Sequence, residues 1–236
     1  MDTSALNLSK NADISCFEFG NESQPILKAD NFMLGAEQLK AHAVAGNQFG
    51  VADSFYPGVR MAISPIYTKA LLHHFQLEIE KIFKLKLSSV KKAISRYSIV
   101  TFPPSTLKTF QQIPHFDAAT KKSLAVLHYL CDDENSGTAF YRHRESGFEF
   151  IDQARREPYL SCISRQFPED SNQGYIVDTT EEFEKVCGFS AVFNRLLLYR
   201  ASSLHSGIIG PDYNFDPSPS TGRLTITSFI EFEEFV

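Results

Sequence analysis

Hydrophobic and polar positions keep two different rhythms along this chain. From Ser64 to Phe83 the apolar residues Leu71, Phe75, Ile79, Ile82 and Phe83 return every three or four positions, which predicts a helix buried along one side. Ser64 followed by Pro65 gives it a start, a capping hydroxyl and then a ring tolerated in the first turn. A shorter helix is predicted over 35–49, with Leu34, Leu39, Ala43 and Val44 on its apolar face. Ahead of it, the alternation of Ile14, Cys16, Phe17 and Phe19, then Ile26-Leu27, predicts one or two edge strands. Residues 50–63, with a Pro57-Gly58 turn, read as a loop.

After Ser95 the period shortens to two. Strands are predicted over 96–102, 113–117, 123–130, 138–142, 174–177, 195–199 and 224–232, separated by Pro, Gly, Asn and Asp. A helix is expected around 148–155, with irregular chain after Pro158. Thr179 or Thr180 is expected to cap a short helix to about Val186, because Glu181, Glu182 and Glu184 place acid in its first turns. Many short strands after a helical beginning predict an α+β, mainly β fold, a sandwich or barrel of residues 96–236 supported by mostly helical residues 1–95.

Composition narrows this to a globular chain. Its 236 residues suit one domain spanning 1–236, and 43% hydrophobic with 13% aromatic residues, 21 of them Phe, supply a core. The net charge of -5 argues against a polyanion surface, so no nucleic-acid partner is expected. The basic run Lys81, Lys84, Lys86, Lys91, Lys92 and Arg96 reads as a solvated helix end after Glu78 and Glu80. No stretch has the length and apolarity of a membrane span, and no charged-then-apolar leader opens the chain, so a cytoplasmic location without membrane partners is expected. Cys16, Cys131, Cys162 and Cys187 are irregularly spaced and read as reduced, mostly buried thiols.

The chemistry-bearing stretch is Ile113-Pro114-His115-Phe116-Asp117. In an extended segment His115 and Asp117 project to one side and can reach one metal ion. His205, at the end of an apolar strand, offers a third ligand from another direction, and two His with one carboxylate form the facial set of non-haem Fe(II) oxygenases. The same donors hold Zn2+ in hydrolases, and a binding protein without redox activity stays open beside these readings. Arg223 and Thr225 share a face of the last strand, where a guanidinium fork and a hydroxyl suit a carboxylate. The helical pair His74 and Glu78 reads as an exposed i, i+4 contact. His143, between Arg142 and Arg144, reads as facing solvent or a substrate anion.

The pieces His115-Phe116-Asp117, the strand 124–130, Gly137-Thr138-Ala139-Phe140-Tyr141, His205 and Arg223-Leu224-Thr225 resemble the Fe(II)- and 2-oxoglutarate-dependent dioxygenases, in particular the prolyl 4-hydroxylase-like branch. The resemblance covers roughly residues 96–232 and implies a double-stranded β-helix, a cupin-like jelly roll, here braced by the N-terminal helices. It implies that His115, Asp117 and His205 hold Fe(II), that Arg223 and Thr225 bind the distal carboxylate of the cosubstrate 2-oxoglutarate, and that Tyr97 assists. It further implies an enzyme that uses O2 to hydroxylate an amino acid, peptide or small-molecule substrate, with release of succinate and CO2. From His205 to Arg223 the chain carries a loop, 206–222, that is long for the family. That loop and residues 141–173 are candidate walls of the substrate site.

Overall fold

A computed structural model describes residues 3–46, 48–51, 55–168 and 173–236. A 3-10 turn, Thr3–Leu6, precedes strands β1 (Asp13–Phe19) and β2 (Gln24–Asp30), helix α1 (Ala36–Ala45), strands β3 (Gly50–Val51) and β4 (Gly58–Ala62), and helices α2 (Pro65–His74) and α3 (Gln76–Ile82). Strand β5 (Val90–Val100), the short α4 (Thr109–Gln112), β6 (Ser123–Tyr129) and β7 (Asp133–His143) follow. The chain closes with α5 (Gln153–Gln166), β8 (Phe183–Ala191), β9 (Leu196–Arg200), β10 (His205–Ile209) and β11 (Leu224–Phe232).

Eight strands form one sheet in the order β1-β2-β9-β6-β11-β5-β4-β3, and three form a second in the order β10-β7-β8. Paired strands are antiparallel throughout. The four-residue apolar run of β9 shows how the layers divide. Leu196 and Leu198 pack with α1, α2 and α3 on the outer face, while Leu197 and Tyr199 face Phe140 of the second sheet. The outer face of the small sheet packs Ala139, Tyr141 and Phe183 against Tyr159 and Ile163 of α5. The mainly β sandwich expected from the period-two half is therefore observed, and it does not close into a barrel.

Several elements differ from expectation. Residues 1–95 do more than brace the sandwich: β1 to β4 lie there and belong to the large sheet. The segment read as a loop contains β3 and β4, because Val59 and Met61 alternate with Arg60 across one strand. The long helix from Ser64 is two, broken at the buried Phe75, whose ring stacks on Phe32 at 5.1 Å. Helix α5 runs through Pro158, held by Asp152 as its cap and by burial of Tyr159 and Ile163. Thr180 caps no helix. Its hydroxyl accepts from the Phe183 N–H at 3.1 Å in a turn that feeds β8, a bond that Thr makes at turns and helix starts alike. Residues 174–177 form no strand, and Tyr175 instead donates to the Phe102 carbonyl. Of the four thiols only Cys131 is buried. Residue 47 of the first predicted helix, 52–54 of the predicted loop and 169–172 of the predicted wall lie outside the described residues. Among the described residues no helix is long and apolar enough to cross a membrane.

Candidate metal centre

The segment 113–117 is extended without belonging to a strand. His115 and His205 form an isolated antiparallel bridge, each backbone N–H donating to the other's carbonyl at 2.9 Å. The Asp117 N–H donates to Ala201 O at 2.8 Å, and the Tyr159 hydroxyl of α5 donates to Pro114 O at 3.1 Å. Four hydrogen bonds thus lay the His-x-Asp segment across the start of β10, which is how residues far apart in sequence come face to face.

The side chains converge as the backbone dictates. The two imidazole rings lie 4.4 Å apart between centroids. His205 Nε2 is 3.4 Å from Asp117 Oδ2, and His115 Nε2 is 3.8 Å from Asp117 Oδ1. One donor atom from each of the three residues lies within 4.8 Å of the other two. His205 Nδ1 is 2.9 Å from the Ser203 carbonyl, which only accepts, so Nδ1 carries the proton and Nε2 presents its lone pair. Desolvation, with the nearby His205 and Arg60, lowers the His115 pKa to about 3 and keeps that ring a neutral donor. Desolvation raises the Asp117 pKa, against the opposing pull of His205 and Arg60. Two imidazole nitrogens and one carboxylate converging on one point fit a divalent transition-metal ion.

Arg223 lies on the inner side of the large sheet, 4% exposed. Its Nε donates to Ser136 Oγ at 2.6 Å, its Nη2 donates to Gly137 O at 2.7 Å, and the guanidinium sits 5.5 Å from the Tyr129 ring centre. Those partners are neutral, and among the described residues no carboxylate forms an ion pair with it. Burial opposes its charge, yet Tyr129, Tyr56, Cys131 and Tyr213 outweigh burial and raise its pKa. A buried cation with only neutral partners lacks the opposite charge that would offset its burial. The stretch expected as a loop, 206–222, begins with β10, and the loop that follows it does not displace Arg223, because Tyr213 folds back, accepting from the Arg223 N–H at 3.1 Å and donating to Val100 O at 3.0 Å.

Thr225 is fully buried, and its hydroxyl donates to Ser98 O at 3.3 Å. Tyr97 is not brought to this site. It pairs with Ile226, both point to the outer face, and its hydroxyl donates to Leu39 O of α1. Tyr56 stands nearer: its hydroxyl is buried beside Thr225, and burial pushes its pKa up to about 12, with Arg223 and Arg60 pulling the other way. Tyr56, Arg60, Tyr129 and Ser136 were not singled out from sequence. For Arg60 the alternation of 58–62 was the signal available. The others had none, since they reach the site only across strands.

His143 faces neither solvent nor a substrate site. It is fully buried, with Nδ1 2.8 Å from Ser146 Oγ and Nε2 2.9 Å from Gln166 Oε1, while Arg142 points the opposite way to Glu184. His74 Nε2 lies 2.7 Å from the Leu6 carbonyl, a structural tie.

Among solved structures, the chain is similar to HygX from Streptomyces hygroscopicus with iron bound, at TM-score 0.53 and 10% identity over 91% of this chain and 85% of that one. It is also similar to HygX with nickel and 2-oxoglutarate bound, at TM-score 0.50 and 11% identity over the same shares. A prolyl-4-hydroxylase from Pseudomonas putida aligns at TM-score 0.48 and 10% identity, over 90% of this chain and 95% of that one. At such identities the likeness to HygX establishes the fold, the open double-stranded β-helix implied by the resemblance of the sequence. No curated protein matches the chain. Residues 10–230 match the family described as a family of unknown function, DUF6445, and the chain belongs to that family.

Proposed function

We propose that the protein is an Fe(II)- and 2-oxoglutarate-dependent oxygenase that uses O2 to hydroxylate an amino acid, peptide or small-molecule substrate, releasing succinate and CO2. The observation that carries this reading is that the convergent triad and the buried Arg223 share one interior, reached from successive same-face positions of β10. His205 and Gly207 lie on the same face of β10, about 7 Å from each other at the strand rise. A Cβ added at Gly207 would lie 3.9 Å from Arg223 Nη2. The space over Gly207 therefore joins metal ligands at one end to a guanidinium at the other, the layout that a small diacid chelating an ion would need.

In this reading His115, Asp117 and His205 hold the iron, and Arg223 grips the distal carboxylate with Thr225 and Tyr56 beside it. The iron and 2-oxoglutarate supply the oxidising chemistry when bound. The chain's own part is placement and exclusion of water. Ser203 fixes the tautomer of His205, while Phe140 and Tyr199 pack their rings against it, with centroids at 6.2 and 4.9 Å. The iron and the 2-oxoglutarate found with HygX support the assignment.

Adding Fe(II) and 2-oxoglutarate without oxygen tests it directly. A weak visible charge-transfer band is expected from the wild type, and none from Asp117→Ala. A zinc site with no affinity for 2-oxoglutarate would overturn the proposal in favour of hydrolysis.

A further inference from the structure

Burial on the inner face of the large sheet fades along two neighbouring strands. On β11 the inward residues pass from Thr225, fully buried, through half-buried Thr227 to Phe229, which is 37% exposed. The outward Leu224, Ile226 and Ile230 stay buried over the same length. On β5 the inward Ile94 stands opposite Phe229 and is 36% exposed. An aromatic and a β-branched side chain facing each other across interior strands form the kind of pair that a second layer ordinarily covers. Here the second layer ends first, with β10 at its margin and the 113–117 segment bridged to the outer edge of that strand.

The open pair continues a row that begins beneath the metal centre. Tyr199 of β9 pairs with Ala125 of β6, Ala125 with Phe229, and Phe229 with Ile94. Tyr199 is buried with its ring centre 4.9 Å from that of His205, and Ala118, beside Asp117, packs on the cluster that contains Tyr199 and Ala125. At about 4.8 Å between neighbouring strands, Phe229 stands roughly 10 Å and Ile94 roughly 15 Å from Tyr199 along the row. The row therefore runs from the metal ligands to solvent within the length of a small molecule. On these two strands its flanking rows are polar, Thr227 opposite Arg96 on one side and Glu231 opposite Lys92 on the other. Along β11 the opposite direction leads to Arg223, the end assigned to 2-oxoglutarate, so the substrate has to approach the metal from elsewhere.

We infer that Phe229 and Ile94 form the substrate shelf of the metal centre, and that the substrate is a small molecule with an uncharged apolar group, an aryl ring or a short alkyl chain, which lies on this pair while an adjoining part reaches the metal. The inference rests on the oxygenase reading and adds the substrate class to it. The size of the shelf selects a small molecule over a protein. Two side chains, each with little over a third of its surface open, have room for one ring or a short chain, far below the roughly 800 Å² that each partner of a stable protein interface buries. An apolar floor between polar rows is also the usual make-up of a small-molecule site.

The test uses Mn(II) in place of iron as a paramagnetic reporter, with 2-oxoglutarate saturating. Relaxation of the 19F signals of 4-fluorobenzyl alcohol and 6-fluorohexan-1-ol, neutral probes with an aryl and an alkyl group, is titrated against the full-length protein. Saturable enhancement of at least one is expected, and the probe that saturates at lower concentration names the preferred group. Phe229→Thr and Ile94→Thr should each weaken that binding at least fivefold, the double variant should remove the saturable part, and Phe229→Leu should keep most of it. Thr suits a strand, so the urea midpoints and Mn(II) affinities of these variants should stay near the wild type. Should Phe229→Thr misfold by circular dichroism, Ile94→Thr and Phe229→Leu carry the test. Wild-type protein that binds Mn(II) and 2-oxoglutarate yet gives no saturable effect with either probe, or one that survives in the double variant, overturns this inference alone. A wild-type dimer in sedimentation that the double variant dissolves also overturns it, making the pair a contact between copies. Protein that binds no Mn(II), or binds it without 2-oxoglutarate, overturns the oxygenase reading and this inference with it.

Discussion

The two faces of the large sheet are made by the same strands and do opposite work. On β11 the outward residues Leu224, Ile226 and Ile230 are buried against the helices, while Thr225 and Thr227 look inward across the sandwich. On β5 the outward Tyr97 and Ile99 join that apolar layer, and the inward Ser98 meets Thr227. Two polar chains among the described residues cross the outer layer, Thr68 to Ser95 to Ser228 with each contact 2.7 Å, and Tyr67 to His128 to Asn194 with each contact 3.0 Å. The inner face keeps a buried guanidinium and looks across the sandwich towards His115, Asp117 and His205, which come from the 113–117 segment and from β10 of the small sheet. The outer face therefore carries the helix-covered apolar layer and the inner face the polar groups turned to the interior of the sandwich, because side chains alternate across a strand and each face answers to a different neighbour.

Substitutions on the two faces should accordingly separate stability from binding. The largest effect is expected outside: Ile226→Ala removes a fully buried side chain from the helix-facing layer and should cost about 2–5 kcal/mol in urea unfolding. At temperatures where that variant remains folded, its affinity for Mn(II) should match the wild type. Arg223→Ala should reverse the pattern, weakening 2-oxoglutarate on the order of a hundredfold, near 3 kcal/mol, with metal binding kept. Calorimetric titration with each ligand decides the case, and loss of metal binding by Arg223→Ala would contradict the separation.

Gly207→Val should act more gently. A Cβ at this position meets its nearest atoms at ordinary contact distances, so folding should be spared, while the added methyls enter the space between His205 and Arg223. About a tenfold loss of 2-oxoglutarate affinity with an unchanged unfolding midpoint is the expected outcome. The smallest effect concerns neither face. Asp30 at the end of β2 takes a bidentate pair from Arg195, which with Lys28 lowers its pKa below the ordinary value of 3.8. A depressed carboxyl contributes stability that is present above its unfolded pKa and lost as the pH falls through the folded one. Asp30→Asn should therefore lower stability by under about 1 kcal/mol at neutral pH, and the difference from wild type should shrink in acid unfolding curves as the pH falls below 3.8 and through the lowered pKa of Asp30.

Much of this was legible along the chain because strands and ligands leave local marks. The 224–232 strand matches β11, and 123–130 matches β6 to within one residue, since an apolar run or alternation bounded by turn residues has few other solutions. The helix ends were less legible. Pro158 and Thr180 carry strong local signals, and burial of Tyr159 and the pairing of β7 with β8 overrode them. The placement of Tyr97 failed for a related reason: proximity in sequence to an inward residue does not fix the face, and a shift of one position along β5 turns a side chain from the site to the helices.

The sequence by itself determined the donor types, the His-x-Asp spacing and the mainly β character, because each depends on residue identity or on a period of two along a strand. Only the tertiary structure decided that His115 lies opposite His205, that Arg223 is buried among neutral partners, and that Arg60 and Tyr56 stand beside them. Those facts depend on which strands are neighbours and in what register, and register is set by contacts between segments that no single stretch of chain contains.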